Sequence, residues 1–215
     1  MLRDVLARRE DEERVRSEGR LPPGQSLTQK FPVLHYGPVP RFDRATWDFR
    51  IWGEVHQPVR WTWQEFEKLP RTRLRMDIHC VTRWSKFDTE WEGLSLKTLV
   101  DQGLVELLPT ARFVLQHCEF GFTVNVPLSV VMAENFLMAT HFDGQPITPD
   151  HGYPVRGVVG SIPGRSDLKT PYFWKGGKWL RGLEILATDR LGFWEQAGYH
   201  NEADIWKEQR VTSGW

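Results

Sequence analysis

Two cysteines in 215 residues are too few for a disulfide framework. Each thiol is expected to be free or a ligand, as suits a reducing compartment. Long apolar runs are missing as well. None approaches the ~20 residues that a membrane helix needs, so no membrane span is expected. Nor does the N-terminus show a signal-peptide core, because Arg8-Arg9 is followed by Glu10-Asp11-Glu12-Glu13 where an apolar stretch would have to stand. The expected location is cytoplasmic. Net charge is absent too, with 28 Lys+Arg against 28 Asp+Glu. Without a bulk field to draw the chain to polyanions, no nucleic-acid partner is expected. Internal repeats and low-complexity tracts are lacking, which argues against solenoids and flexible linkers.

What is present reads as one core. Hydrophobic residues make up 40% and charged residues 26%, an ordinary globular balance. The eleven tryptophans are the compositional oddity. Most serve as core anchors on this reading, with a minority free to wall a cofactor cleft. Residues 1–26 form a charged N-terminal arm, helical or frayed, which Leu21-Pro22-Pro23-Gly24 stops. Residues 27–215 form the domain. Its opening stretch, residues 31–40, carries three prolines and must be an ordered irregular crossing. Strands are expected at 47–53, 59–63, 74–81, 113–115, 122–126, 155–159 and 182–188, from period-two alternation and short apolar runs. Helices are expected at 64–69, at 95–102 with Ser95 as cap, and at 128–139. Residues 160–171 read as a surface loop, and residues 190–215 as an aromatic tail that wraps the core.

Chemistry concentrates in two places. In Met76-Asp77-Ile78-His79-Cys80-Val81-Thr82-Arg83 the alternation puts Cys80 on the apolar face with Leu74, Met76 and Ile78, pointing inward. A thiolate needs a cation or a metal to hold it deprotonated, and Arg83 is near enough in sequence to supply a field. The bland alternative is an inert packed thiol. His79-Cys80 and His117-Cys118 suggest a zinc site on sight, but neighbouring strand residues face opposite ways and cannot easily converge on one ion. The second place is Arg156 with Gly176-Gly177-Lys178. Glycines let a ligand approach the backbone, and the two cations offer charge for a phosphate, Arg156 as a fork and Lys178 as a point; the bland alternative is a solvated hairpin.

Four motifs in order carry a resemblance. They are Phe31-Pro32-Val33-Leu34-His35-Tyr36-Gly37-Pro38, Asp77-Ile78-His79-Cys80-Val81-Thr82-Arg83-Trp84, Asp150-His151-Gly152-Tyr153-Pro154-Val155-Arg156 and Trp174-Lys175-Gly176-Gly177-Lys178-Trp179. Together they resemble the molybdopterin-binding domain of the sulfite oxidase family. In particular the chain looks like its compact bacterial oxidoreductases, relatives of the protein-methionine-sulfoxide reductase catalytic subunit. The resemblance implies an α+β, strand-rich mixed fold in a single domain around a molybdenum-molybdopterin cofactor. It puts Cys80 at the protein thiolate ligand to molybdenum, a soft donor in a sulfur-rich sphere. With Arg83, Cys80 forms the expected catalytic pair. By similarity the cofactor is held by His35 with the backbone at Val33 and Leu34, and by Cys118, His151, Arg156, Gly176, Gly177 and Lys178.

The implied activity moves an oxygen atom and two electrons to or from a small-molecule substrate. No haem domain is visible in the sequence, so a separate electron-transfer partner is implied, a haem protein being one class. Two departures argue against sulfite as that substrate: Val33 stands where sulfite oxidases carry an anion-binding arginine, and Thr140 where they carry a tyrosine. A non-catalytic carrier of the cofactor is the alternative these losses motivate, and a plain thiol enzyme using Cys80 is a third reading.

Overall fold

The computed structural model describes residues 2–212. After a helix at Leu2–Ser17, the strands in order are β1 Ser26–Leu27, β2 Asp48–Gly53, β3 Val59–Thr62, β4 Thr72–His79, β5 Trp84–Leu94, β6 Phe113–Cys118, β7 Thr123–Pro127, β8 Phe136–Phe142, β9 Gln145–Pro146, β10 Arg156–Val159 and β11 Leu180–Leu186. They make two sheets. One runs β1-β5-β8-β10, with β4 also pairing β5 and β9 pairing β8; the other runs β3-β2-β11-β6-β7. The short helices lie in the connections. Among the described residues no helix is long and apolar enough to cross a membrane.

The main core lies between the sheets, where Phe49, Ile51, Val114, Leu183 and Ile185 meet Leu94, Phe136, Met138 and Val159. A second cluster covers the far face of the first sheet: Met76, Ile78, Trp91, Leu137, Val158 and Phe173. The first sheet is therefore buried on both sides, and its strands lose the alternation that marks a half-exposed strand. This corrects the helix expected at 128–139. Only Leu128–Val131 is helical, and β8 is a strand buried on both faces whose continuous apolar run hides its period. β5 is hidden for the opposite reason: its first half, Ser85-Lys86-Phe87-Asp88-Thr89-Glu90, is polar enough to read as loop. The helix expected at 64–69 shortens to Trp63–Phe66, set by a capping box between Thr62 and Glu65. Ser95 caps Leu96–Asp101 as expected.

The charged arm is docked on the domain, and the surface loop at 160–171 is tethered at its start. Val15 and Leu21, in the charged arm, are buried. Between them and the domain, the Arg20 guanidinium donates to both carboxylate oxygens of Asp77, at 2.9 and 2.8 Å. Asp77 sits on the face of β4 opposite Met76 and Ile78, and its side chain is only 1% exposed. That pairing keeps Arg20 charged well above its ordinary range. The loop at 160–171 also returns to β4, since Asp77 and Ser161 exchange backbone hydrogen bonds of 2.8 Å each way. Both faces of the strand that leads to Cys80 are thus covered.

Removing Arg20 strands a buried carboxylate, so Arg20→Ala is expected to lower stability on the order of 3 kcal/mol in urea unfolding. The double variant Arg20→Ala, Asp77→Asn should lose less than the sum of the single changes.

Candidate functional site

Strand ends from both sheets converge on a cavity of about 570 Å³, within the range of cofactor sites. Cys80 follows the last residue of β4 and closes a turn in which the Arg83 amide donates to the Cys80 carbonyl at 3.1 Å. Arg83 sits at φ 72°, a left-handed corner that returns the chain into β5. Cys80 lines the cavity with 8% of its surface exposed, and the Thr82 hydroxyl donates to its sulfur at 3.2 Å. Burial raises the thiol's pKa, and Thr82 and the Arg156 charge pull against that rise.

The cation beside the thiol is therefore Arg156, and Arg83 does not fill the expected place. The Arg83 side chain is exposed, lines no part of the cavity, and reaches toward Gly24. Three residues in sequence did not translate into proximity, because the turn throws residue 83 outward. Arg156 is the first residue of β10, 2% exposed. Its guanidinium lies 4.3 Å above the Phe173 ring, and one nitrogen donates to the His151 carbonyl at 2.8 Å. Among the described residues no carboxylate pairs with it. Burial alone lowers its pKa to about 9.

Gly176, Gly177 and Lys178 line the same cavity. The glycines are required by packing: a Cβ at Gly176 would stand 2.2 Å from the Gly157 carbonyl oxygen, and one at Gly177 2.5 Å from the Cys118 sulfur. Their amides are engaged inward. Gly176 donates to the Phe173 carbonyl at 3.2 Å, and Gly177 to the Gln116 side chain at 2.9 Å. Lys178 donates to the Asp150 carbonyl at 2.6 Å. Burial, then the Arg156 charge, brings its amine down to about 7. Cys118 is buried behind Gly177, outside the cavity wall.

Residues 31–38 cross the opening without regular structure, held by rings. Phe31 stacks on His151 with centroids 3.8 Å apart and planes 6° apart. His35 meets the edge of Trp179 at 5.3 Å, and Tyr36 lies 5.3 Å from Phe193. Leu34 and His35 line the cavity, whereas the Val33 side chain is turned to solvent, 46% exposed. His151 is brought down to about 4 by burial and by Arg156 and Lys178. Its Nδ1 is buried without a hydrogen-bond partner.

The two His-Cys pairs stay apart. His79 is buried against Ser85 and Ser161 at 2.8 and 3.2 Å, and burial lowers its pKa to about 3. It is thus neutral and faces away from the cavity. His117 pairs with Glu184 at 2.8 Å. Among the described residues no three His, Cys, Asp or Glu side chains are grouped to hold a metal. Thr140 lines a different, smaller cavity and hydrogen-bonds Arg71, so it contributes nothing to this site. Arg165 is held by Asp167 and Glu134. Sequence reasoning missed Gln116, which fixes the glycine pair from both ends by also donating to the Lys175 carbonyl at 2.6 Å. A glutamine in the middle of an apolar strand was the available signal. It also missed the buried Lys175–Glu195 pair, 2.5 Å apart, that ties the aromatic tail beneath the glycines.

The family described as oxidoreductase molybdopterin binding domain matches residues 36–194. The uncharacterized oxidoreductase YuiH of Bacillus subtilis (strain 168) is 40% identical over 195 residues, covering 90% of this chain and 93% of that protein. A putative protein-methionine-sulfoxide reductase subunit, YedZ1 of Azospira oryzae, is 23% identical, with 83% of this chain matched to 64% of the relative. The sulfane dehydrogenase SoxCD from Paracoccus pantotrophus superposes with a TM-score of 0.61 at 18% identity, over 77% of this chain and 44% of that one, a likeness of fold. With the buried thiol, the uncompensated arginine and the glycine corner in one cavity, the chain belongs to the oxidoreductase molybdopterin-binding domain family, in its sulfite oxidase-like branch.

Proposed function

We propose that the cavity holds molybdenum-molybdopterin, with Cys80 as the protein's sulfur ligand to the metal and Arg156 as the counter-charge of the cofactor phosphate. The observation that carries this reading is Arg156 itself: a guanidinium 2% exposed, without a carboxylate among the described residues, facing the cavity that Cys80 also faces. A cation kept out of water without a counter-ion is costly, and an anion entering the cavity relieves that cost. The unpartnered His151 Nδ1 fits the same occupant, since a pterin edge offers hydrogen-bonding groups. The donor set fits as well: one thiol beside a cation, and among the described residues no cluster of hard oxygen ligands.

When bound, the cofactor supplies oxygen-atom transfer coupled to two electrons. The protein's share is to hold, orient and enclose. Cys80 is the sulfur donor on a fixed turn. Lys178 supplies a second charge to the phosphate, on an amine that burial leaves poised between its two forms. His35 and His151, with the backbone at Val33 and Leu34, would hold the pterin. Gly176 and Gly177 present a wall without side chains, backed by Cys118. Arg83 contributes the left-handed corner of the turn. The substrate on this reading is a small molecule other than sulfite, because the cations lining the cavity are committed to the cofactor and Val33 adds none. Electrons pass to or from a separate partner protein, a haem protein being one class, and the setting is cytoplasmic.

Protein made in a host that synthesises the cofactor is expected to carry about one molybdenum and one pterin per chain, and Arg156→Met should weaken pterin retention roughly 10- to 100-fold. Metal and pterin analysis after dialysis checks this. Wild-type protein that holds neither would end the reading. Cys80→Ser should abolish turnover of S-oxides and N-oxides with a dye mediator.

A pH measurement tests the charge assignment separately. Lys178 loses its proton near pH 7 in the folded chain but at about 10.5 in the unfolded one. Unfolding therefore takes up a proton in that window, and stability of the cofactor-free protein should climb between pH 7 and about 8.5. In Lys178→Met that climb should be absent from urea unfolding curves.

A further inference from the structure

The turn that carries Cys80 is built so that hydrogen-bond donors face its sulfur. Two side chains from the chain's ends grip the turn from behind. Gln25 donates its amide to the Cys80 carbonyl at 3.0 Å, and Arg210 donates to the Val81 carbonyl at 2.6 Å. A trans peptide points its N–H opposite to its C=O. Holding those two carbonyls outward therefore fixes the peptide planes that carry the Val81 and Thr82 amides, and those amides work against the rise that burial gives the Cys80 thiol. The hydrogen bond to the sulfur is the Thr82 hydroxyl's, at 3.2 Å.

The hydroxyl differs in kind from the two amides. The two amides are fixed by the backbone, but the hydroxyl belongs to one replaceable side chain. Thr82 is exposed and lines the cavity, so its hydroxyl has water available and is not placed on sulfur by a need to satisfy a buried group. A donor aimed at a metal-bound thiolate withdraws charge from the sulfur and weakens it as a ligand. That favours the reduced metal and raises its potential.

We propose that Thr82 is a positioning residue that sets the donor strength of the Cys80 sulfur, and through it the reduction potential of the bound metal. The inference rests on Cys80 being the sulfur ligand. It goes further in assigning to Thr82 a tuning role that packing does not require.

The test uses loaded holoenzyme, a redox titration followed by electron paramagnetic resonance, and the visible sulfur-to-metal absorption. Thr82→Val and Thr82→Ala are expected to load and to titrate lower than wild type. The reduction equilibrium should move roughly tenfold, which is 59 mV for a one-electron couple, with the absorption at longer wavelength. Thr82→Ser, which keeps the hydroxyl, should retain the wild-type potential and band. Loaded Val and Ala variants with unchanged potential and band overturn the proposal, as does a Ser variant that moves as far as Val. Cys80→Ser separates the two levels. A band that survives it sinks the ligand assignment and this inference together, whereas a band lost with Cys80 but unmoved at Thr82 sinks the inference alone.

Discussion

A buried arginine that no carboxylate among the described residues pairs with is the constraint on which the rest of the site turns. Arg156 is sealed by the Phe173 ring on one side and the His151 carbonyl on another, and burial takes it well below its ordinary pKa. Folding alone does not compensate such a charge. Its field reaches both neighbouring thiols, His151 and Lys178. The cavity is therefore electrostatically incomplete, and the surrounding groups are held in states that an entering anion would change.

Rigid packing keeps that incomplete state from collapsing. The glycine corner sits against Gly157 and Cys118 with no room for a Cβ. Gln116 fastens it from below, and the Lys175–Glu195 pair pins the tail under it. On the opposite wall, β4 is covered on both faces, by the second core cluster and by the Arg20–Asp77 pairing with the Ser161 bridge. Both ends of the chain then return to grip the Cys80 turn. A cavity held this way can present a thiol and a cation to one ligand without reorganising, which is what a cofactor site needs.

The legible parts of the sequence were those with a local signature. Alternation marked β2, and the chain around Glu119 to Gly121 marked the turn between β6 and β7. The four motifs located most of the cavity wall. Position in space was harder to read. Arg83 stood close to Cys80 in sequence but faces outward, and the cation that reaches the thiol comes from 76 residues away, at Arg156. β8 was hidden because a strand buried on both faces has no period of two. Gln116 and Lys175 carry no motif at all; each is legible only once the backbone groups it satisfies are known. The glycine pair lines the cavity, but its amides bind inward and the expected exposure of backbone donors does not occur there.

One ligand bridging a buried sulfur and a buried cation is the central claim. Anomalous diffraction from crystals of loaded protein, collected at the molybdenum edge, tests it most directly. The predicted result is a single metal peak at bonding distance from the Cys80 sulfur, with the cofactor's phosphate against Arg156. A peak elsewhere in the cavity, or a phosphate turned to solvent while Arg156 stays unpaired, would contradict it.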